Sequence, residues 1–162
     1  MSDAPQPVYS LSESQPWYKK SRTKWIASVS LVLVIILMWR CARGASAAVQ
    51  SAKQGIEHFH SQFNDGKFDD IYNGATEQFR SSTTKDQLLE FLSSVQRKLG
   101  RVVATGDPAY FINASTNGTF VTLTCQTDFV RGKAQERFVW ILHGGRAELI
   151  GYHIESRDLI VK

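Results

Sequence analysis

Histidine, cysteine, tyrosine and charged side chains are the groups of this sequence that could do chemistry. His58 and His60 lie two positions apart on a predicted helix, whereas two metal ligands on one helix face are spaced by three or four. We therefore expect both to be solvated. His143 and His153 lie on a predicted sheet about 20 Å apart along the strands, too far to share a metal. The spacing predicts no metal site and no cofactor.

Four polar residues are predicted to lie together on the outer face of that sheet. They are Gln126, Asp128, Arg137 and His153. Contact with a ligand or partner is one interpretation of this polar cluster. Ordinary cross-strand pairing of charges on a solvated face is the other.

The inner face of the sheet offers fewer polar groups. Tyr110 and Tyr152 are its polar aromatic residues, Cys125 and Thr127 accompany them, and no carboxylate or imidazole is predicted there. We therefore predict no catalytic residue. A ligand pocket is a hypothesis for five residues, Tyr72, Tyr110, Cys125, Trp140 and Tyr152, and aromatic core packing is the alternative.

The sheet itself is predicted from a period of two that begins at Val102. Turn signals at Asn117-Gly118, Arg131-Gly132 and Gly144-Gly145 divide residues 102–157 into four strands of an antiparallel meander. The resulting register points five apolar side chains away from the core: Phe111, Phe120, Val139, Ile141 and Leu149. Because a solvated face should be mostly polar, we expect an interaction face there. The alternatives are that a terminal segment covers the face or that isolated apolar residues sit in water.

Three helices are predicted before the sheet. The first covers Gly44 to Phe63 and carries an apolar stripe, and Asn64-Asp65-Gly66 ends it. The second is broken at Asn73-Gly74. The third begins at Thr83 or Thr84, each followed by a capping partner three residues later, and ends at Gly100.

An apolar run from Trp25 to Trp39 precedes these helices. Basic residues flank it, four before and two after, which predicts a membrane anchor with a cytoplasmic N-terminus and an exported C-terminal domain. We expect a disordered tail over residues 1–18, an anchor over 19–43 and a folded domain over 44–162. Cleavage of a secretory signal after Ala47 is the alternative. Two glycosylation sequons, at Asn113 and Asn117, matter only in a host with that pathway.

Charge and cysteine content narrow the class of protein. The net charge is +4, but residues 50–162 contain 13 Lys and Arg against 13 Asp and Glu, so the folded domain is neutral. The excess positive charge flanks the apolar run, where it suits lipid headgroups, and we reject nucleic-acid binding. Cys41 and Cys125 lie in separate parts of the chain, and we expect no disulfide between them.

The order of elements resembles one known superfamily. An amphipathic helix, the phrase NDGKFDDIY at residues 64–72 leading to EQFR at 77–80, a third helix and a curved meander are similar to the nuclear transport factor 2-like, or cystatin-like cone, superfamily. Within it, the chain resembles small bacterial membrane-anchored domains of unknown function. The resemblance covers residues 45–158 and implies helices that fill the hollow of a bent sheet, often with a pocket. Some members of the superfamily are isomerases or dehydratases that use an acid, a histidine or a tyrosine in that pocket.

The expected fold is therefore α+β, with a transmembrane helix followed by three helices packed on a curved four-stranded antiparallel meander. The expected function is an extracytoplasmic interaction module in a bacterial inner membrane, an accessory subunit of an envelope or secretion assembly. Its expected partners are the bilayer, through Trp25 to Trp39, and a second copy or another envelope protein. The alternative is a small-ligand-binding protein or an enzyme that uses the cone pocket.

Overall fold

The computed structural model describes the backbone of residues 19–160 and the side chains of residues 28–36 and 44–160. The predicted tail, residues 1–18, lies outside the described residues. The chain divides into two compact units, residues 1–41 and 42–162. No helix within the described residues is both long enough and apolar enough to cross a membrane. Of the predicted anchor, only residues 28–36 have described side chains.

The helical part of the chain contains four α-helices and a short C-terminal 3-10 helix. They are α1 (Lys19–Asn64), α2 (Phe68–Gly74), α3 (Glu77–Ser82), α4 (Lys85–Leu99) and the 3-10 helix Arg157–Leu159. The predicted break at Gly74 is confirmed, since α2 ends there. The alternative start at Thr84 is also confirmed, because its hydroxyl accepts from the Gln87 N–H while the Gln87 side chain accepts from the Thr84 N–H. Gly100, with φ +84°, follows the end of α4.

The C-terminal half of α1 packs on the sheet through its predicted apolar stripe. Its buried residues are Ala48, Ala52, Ile56, Phe59 and Phe63. Gly55 allows the close approach of helix and sheet, because a Cβ there would lie 2.9 Å from the Trp140 ring. Asn64 ends the helix. Its side chain donates a hydrogen bond to the Val102 carbonyl (3.0 Å) and accepts one from the Val102 N–H (2.7 Å).

The sheet has five antiparallel strands within the described residues, whereas four were predicted. They are β1 (Val102–Thr105), β2 (Ala109–Ser115), β3 (Gly118–Phe129), β4 (Gly132–His143) and β5 (Arg146–Glu155). Strands β1 and β2 pair with successive halves of β3, so one predicted edge strand is divided in two. The division falls at residues 106–108, where Pro108 has no N–H to donate to a ladder.

A bulge changes the predicted register of the last strand pair. Val139 pairs with Gly151 and Trp140 pairs with Leu149, which leaves Ile150 as an extra residue in β5. One extra residue reverses the alternation of side chains beyond it. Leu149 therefore faces the core and is only 4% exposed, so its predicted place on the outer face is wrong.

The architecture is thus α+β, with a curved antiparallel sheet and helices packed on its inner face. The core lies between α1, α2, α3 and α4 on one side and β3, β4 and β5 on the other. Aromatic rings dominate its centre, where Phe138 stacks on Trp140 and contacts the edges of Phe59 and His60. This layer buries the inner face of the sheet and leaves its first edge, β1 and β2, exposed.

Candidate functional site

A buried carboxylate lies at the centre of the domain. Glu136 on β4 is 1% exposed, and hydroxyl groups and an imidazole surround both of its oxygens. Oε1 accepts from the Tyr152 hydroxyl at 2.6 Å. Oε2 accepts from the Thr127 hydroxyl and lies 2.8 Å from His60 Nε2. Three partners thus satisfy a charge that would otherwise be very costly to bury.

His60 connects this carboxylate to the domain surface. Its Nε2 faces Glu136, and its Nδ1 lies 3.1 Å from the hydroxyl of Thr105, an exposed residue at the end of β1. A neutral imidazole that donates from Nε2 to Glu136 accepts from Thr105 at Nδ1. We refer to Thr105, His60, Glu136, Thr127 and Tyr152 as the Glu136 network.

The surroundings of the Glu136 network keep the Tyr152 hydroxyl and the neighbouring Cys125 thiol protonated. Burial, together with the charge of Glu136 and the hydrogen bond to it, raises the pKa of Tyr152 well above 10. Burial likewise raises the pKa of the neighbouring Cys125 thiol to about 11. A thiol with this pKa is a poor nucleophile at neutral pH, since the thiolate is the reactive form. The Glu136 network is therefore an internally hydrogen-bonded group of side chains, and the Cys125 thiol beside it is not an activated nucleophile.

Three members of this network were not predicted from the sequence: Glu136, His60 and Thr105. Glu136 precedes Phe138 by two positions on a strand, so the register already assigned it to the inner face, and the prediction that this face has no carboxylate is wrong. His60 follows Ile56 by four positions on α1 and is 7% exposed. The expectation of a solvated side chain is wrong for His60, whereas His58 is exposed as expected.

The five predicted pocket residues do not converge on one cavity. Tyr110, on β2, is 63% exposed. Cys125 and Trp140 are buried, while Tyr72 and Tyr152 are half-buried against the core. A cleft of about 100 Å³ between α1, α2, β4 and β5 is bordered by Trp140 and by none of the other four. Core packing, the alternative interpretation, describes Cys125 and Trp140 well.

A larger groove lies at the other end of β4 and β5. It has a volume of about 790 Å³ and lies between these strands and the C-terminal 3-10 helix. Its polar groups pair with one another, since Asp158 accepts from the Lys133 N–H (3.2 Å) and the Ser156 hydroxyl donates to the Lys133 carbonyl (2.6 Å). These local pairings tie the C-terminal segment to β4.

The predicted polar cluster lies on the outer face, and two of its members, Asp128 and His153, pair with close neighbours. Arg137 is opposite His153 in the β4 and β5 register, as predicted. The His153 imidazole, however, lies 2.9 Å from Glu155. The Asp128 carboxylate lies 2.9 Å from the ammonium of Lys133. The four side chains of these two pairs are each more than 40% exposed, and exposed ion pairs add little to stability.

The predicted interaction face is smaller than expected. Phe111 is 67% exposed, and Phe120 and Val139 are half-buried. Ile141 is only 7% exposed, because it lies beside Gly118 and opposite Phe120. With Leu149 in the core, the exposed apolar surface shifts from the centre of the sheet toward β2.

The edge formed by β2 exposes two large aromatic side chains. Tyr110 and Phe111 are adjacent, so they point to opposite faces, and both are more than 60% exposed. Strand β2 pairs with β3 alone in the part of the chain that the structure describes. Its seven residues, Ala109–Ser115, include no charged residue and no proline. Natural sheets usually protect an edge with such residues, so this edge is open to pairing.

The opposite edge of the sheet is protected. Strand β5 carries Arg146, Glu148, His153 and Glu155. The segment between α2 and α3 covers part of it, since Ala75 forms a bridge with Leu149 and the Thr76 N–H donates to the Leu149 carbonyl at 2.9 Å. The two edges of one sheet therefore differ in charge and in cover.

Comparison of the chain with models of known protein families finds no match, and comparison with curated proteins finds none either. The fold and the geometry of its surfaces are therefore the basis for a functional proposal.

Proposed function

We propose that residues 44–162 form an interaction module that a membrane anchor holds at the extracytoplasmic surface, and that the β2 edge receives its partner. The module would serve as a subunit of an envelope or secretion assembly. The proposal includes a resemblance to cystatin-like cone domains, which the order of helices before an antiparallel sheet supports.

The sequence supports the membrane placement. The run from Trp25 to Trp39 contains no charged residue, and it is flanked by four basic residues on one side and two on the other. Tryptophan suits both interfaces of a bilayer, and the excess of basic residues before the run favours a cytoplasmic N-terminus. A neutral folded domain on the far side fits a role in protein contact better than one in nucleic-acid binding.

The open β2 edge is the observation that carries the interaction function. An extended segment of a partner can add to such an edge through main-chain hydrogen bonds, while Tyr110 and Phe111 supply apolar contact on both faces. The interior favours the same function, because Glu136 is buried and the domain's own side chains satisfy both of its oxygens. Interfaces typically centre on large aromatic residues such as Tyr110 and Phe111.

Photo-cross-linking in membranes tests the proposal. The full chain would carry p-benzoylphenylalanine in place of Phe111, and irradiation of intact membranes should give a discrete adduct of higher mass. The matched control carries the same group at Val130, which is 63% exposed but lies in the turn between β3 and β4.

An adduct at position 111 and none at position 130 supports docking at the edge. If position 111 gives no adduct, or if both positions give the same smear of products, the β2 edge is not a specific interface and the proposed function is wrong.

A further inference from the structure

We infer that the partner at the β2 edge is a second copy of this chain, paired antiparallel through Ala109–Ser115 about a twofold axis at Ile112. This inference rests on the proposed function and names its partner. Three properties of the edge support it: its charge, the sizes of its side chains and the way its two faces continue across the axis.

The charge of the edge suits a copy of itself. Two identical strands that pair antiparallel about a twofold axis bring a charged residue near the axis close to its own counterpart, and like charges close to one another destabilise a sheet. Strand β2 contains no charged residue, and Asp107 is the one charged residue between Val102 and Gly118. The edge can therefore meet its own copy without repulsion, whereas the β5 edge, with Arg146, Glu148 and Glu155, is far less suited to pairing.

The side chains of the edge are complementary about Ile112. In this register Tyr110 lies opposite Ala114, and Phe111 lies opposite Asn113. Each large aromatic ring therefore faces a smaller side chain of the partner rather than a second ring, and each of these contacts occurs twice. Such self-complementarity is the property that a twofold interface requires.

The two faces of the sheet also continue correctly across this axis. A twofold axis perpendicular to the sheet keeps both inner faces on the same side, so the helices of both copies would cover one side of a continuous sheet. Phe111 would then extend the outer apolar surface of half-buried Phe120 and Val139 across both copies. Pairing would also remove the unprotected edge, which otherwise invites aggregation.

Disulfide trapping tests this register. Two versions of the full chain with Cys41→Ser, one with Phe111→Cys and one with Asn113→Cys, carry different tags and are co-expressed. Directly opposite Cβ atoms lie about 4.5–5.5 Å apart, close to disulfide geometry, whereas diagonal neighbours lie about 7–8 Å apart. On oxidation with dithiodipyridine, the mixed pair should give a dimer carrying both tags at several times the yield of Phe111→Cys alone. Buried Cys125 remains in every version.

Substitutions outside the cross-link provide the control. Tyr110→Lys in both copies should lower the yield of the mixed disulfide about fivefold, because two cross-strand contacts are lost and two ammonium groups enter the edge. Val130→Lys, at an equally exposed position, should leave the yield unchanged.

The outcomes separate this inference from the proposed function. A photo-adduct at position 111 that contains a different protein, with no mixed disulfide, leaves the interaction module standing and overturns self-pairing. Equal yields from the mixed pair and from Phe111→Cys alone overturn the register at Ile112. If neither the photo-adduct nor the disulfide forms, both proposals are wrong.

Discussion

Removal of one hydroxyl group from the Glu136 network should destabilise the domain measurably. Tyr152→Phe leaves the ring in place, where it packs 4.8 Å from Phe59 and 5.1 Å from Phe138 between ring centroids. The substitution removes only the donor that lies 2.6 Å from Glu136 Oε1. Any loss of stability therefore measures the hydrogen bond rather than the packing.

The structure sets the size of the effect. A hydrogen bond to a charged group contributes about 1.5–3 kcal/mol, and a buried carboxylate that loses a donor cannot turn to water instead. We expect Tyr152→Phe to lower the free energy of unfolding by about 2 kcal/mol. Tyr72→Phe is the matched control, since the Tyr72 hydroxyl donates to the Arg80 carbonyl at 3.4 Å, and its loss should cost less than about 0.5 kcal/mol.

Denaturant unfolding of the full chain in detergent measures both variants. Near-ultraviolet circular dichroism follows the loss of the packed aromatic core. A double-mutant cycle with Glu136→Gln then shows whether the hydroxyl acts through the carboxylate. We expect a coupling of about 1 kcal/mol between Tyr152 and Glu136.

Two results would contradict this account of the network. Tyr152→Phe could cost no more than Tyr72→Phe, in which case the hydrogen bond adds nothing to stability. Alternatively, the effects of Tyr152→Phe and Glu136→Gln could simply add, in which case the hydroxyl does not act through Glu136.

Three further predictions concern the Cys125 thiol, the packing of Gly55 and the orientation in the membrane. Burial in the folded state raises the pKa of the Cys125 thiol to about 11, above that of a thiol in the unfolded chain. Stability should therefore be unaffected by this group below about pH 8 and should fall between about pH 9 and about pH 11, by up to about 3 kcal/mol. Cys125→Ala should remove that part of the alkaline slope in denaturant unfolding. Gly55→Ala places a Cβ 2.9 Å from the Trp140 ring and should cost about 1–3 kcal/mol by thermal unfolding, whereas Gly44→Ala meets nothing within 4 Å and should be neutral or stabilising. Protease added to right-side-out vesicles should digest residues 50–162, and protection of those residues would refute the proposed orientation.

Local rules predicted the helical part of the domain well. The threonine cap of α4, the break after α2 and the apolar stripe of α1 all depend on residues within a few positions of one another. Such patterns can be recognised in the sequence without knowledge of the fold. The strand turns were predicted for the same reason, since Gly118 and Gly132 each begin a strand and Gly144 lies in the turn between β4 and β5.

Features that depend on contacts distant in sequence were harder to predict. The bulge at Ile150 follows no turn signal, yet it decides that Leu149 is in the core rather than on the outer face. Glu136 occupies an inner position by strict alternation, but a carboxylate is rarely buried without hydrogen-bonding partners. Two of these, His60 and Tyr152, lie 76 and 16 positions away in the sequence. The spatial meeting of these groups, rather than any one residue type, makes a buried carboxylate tolerable.

The Glu136 network also bears on the proposed docking edge, because it helps to hold that edge in place. The end of β1 is fixed at Thr105, whose hydroxyl meets His60 of α1, and its start is fixed by the two hydrogen bonds between Asn64 and Val102. After the break, the Gly106 N–H donates to the Gln126 carbonyl at 2.8 Å and returns the chain to β3 for the start of β2. An edge held at these points loses little conformational entropy when a partner strand pairs with it, and such preorganisation strengthens binding. The buried network and the exposed edge are thus connected through β1, so His60→Leu should weaken docking at β2 as well as the fold. Tyr72→Phe, which lies outside this chain of contacts, should leave cross-linking at position 111 unchanged.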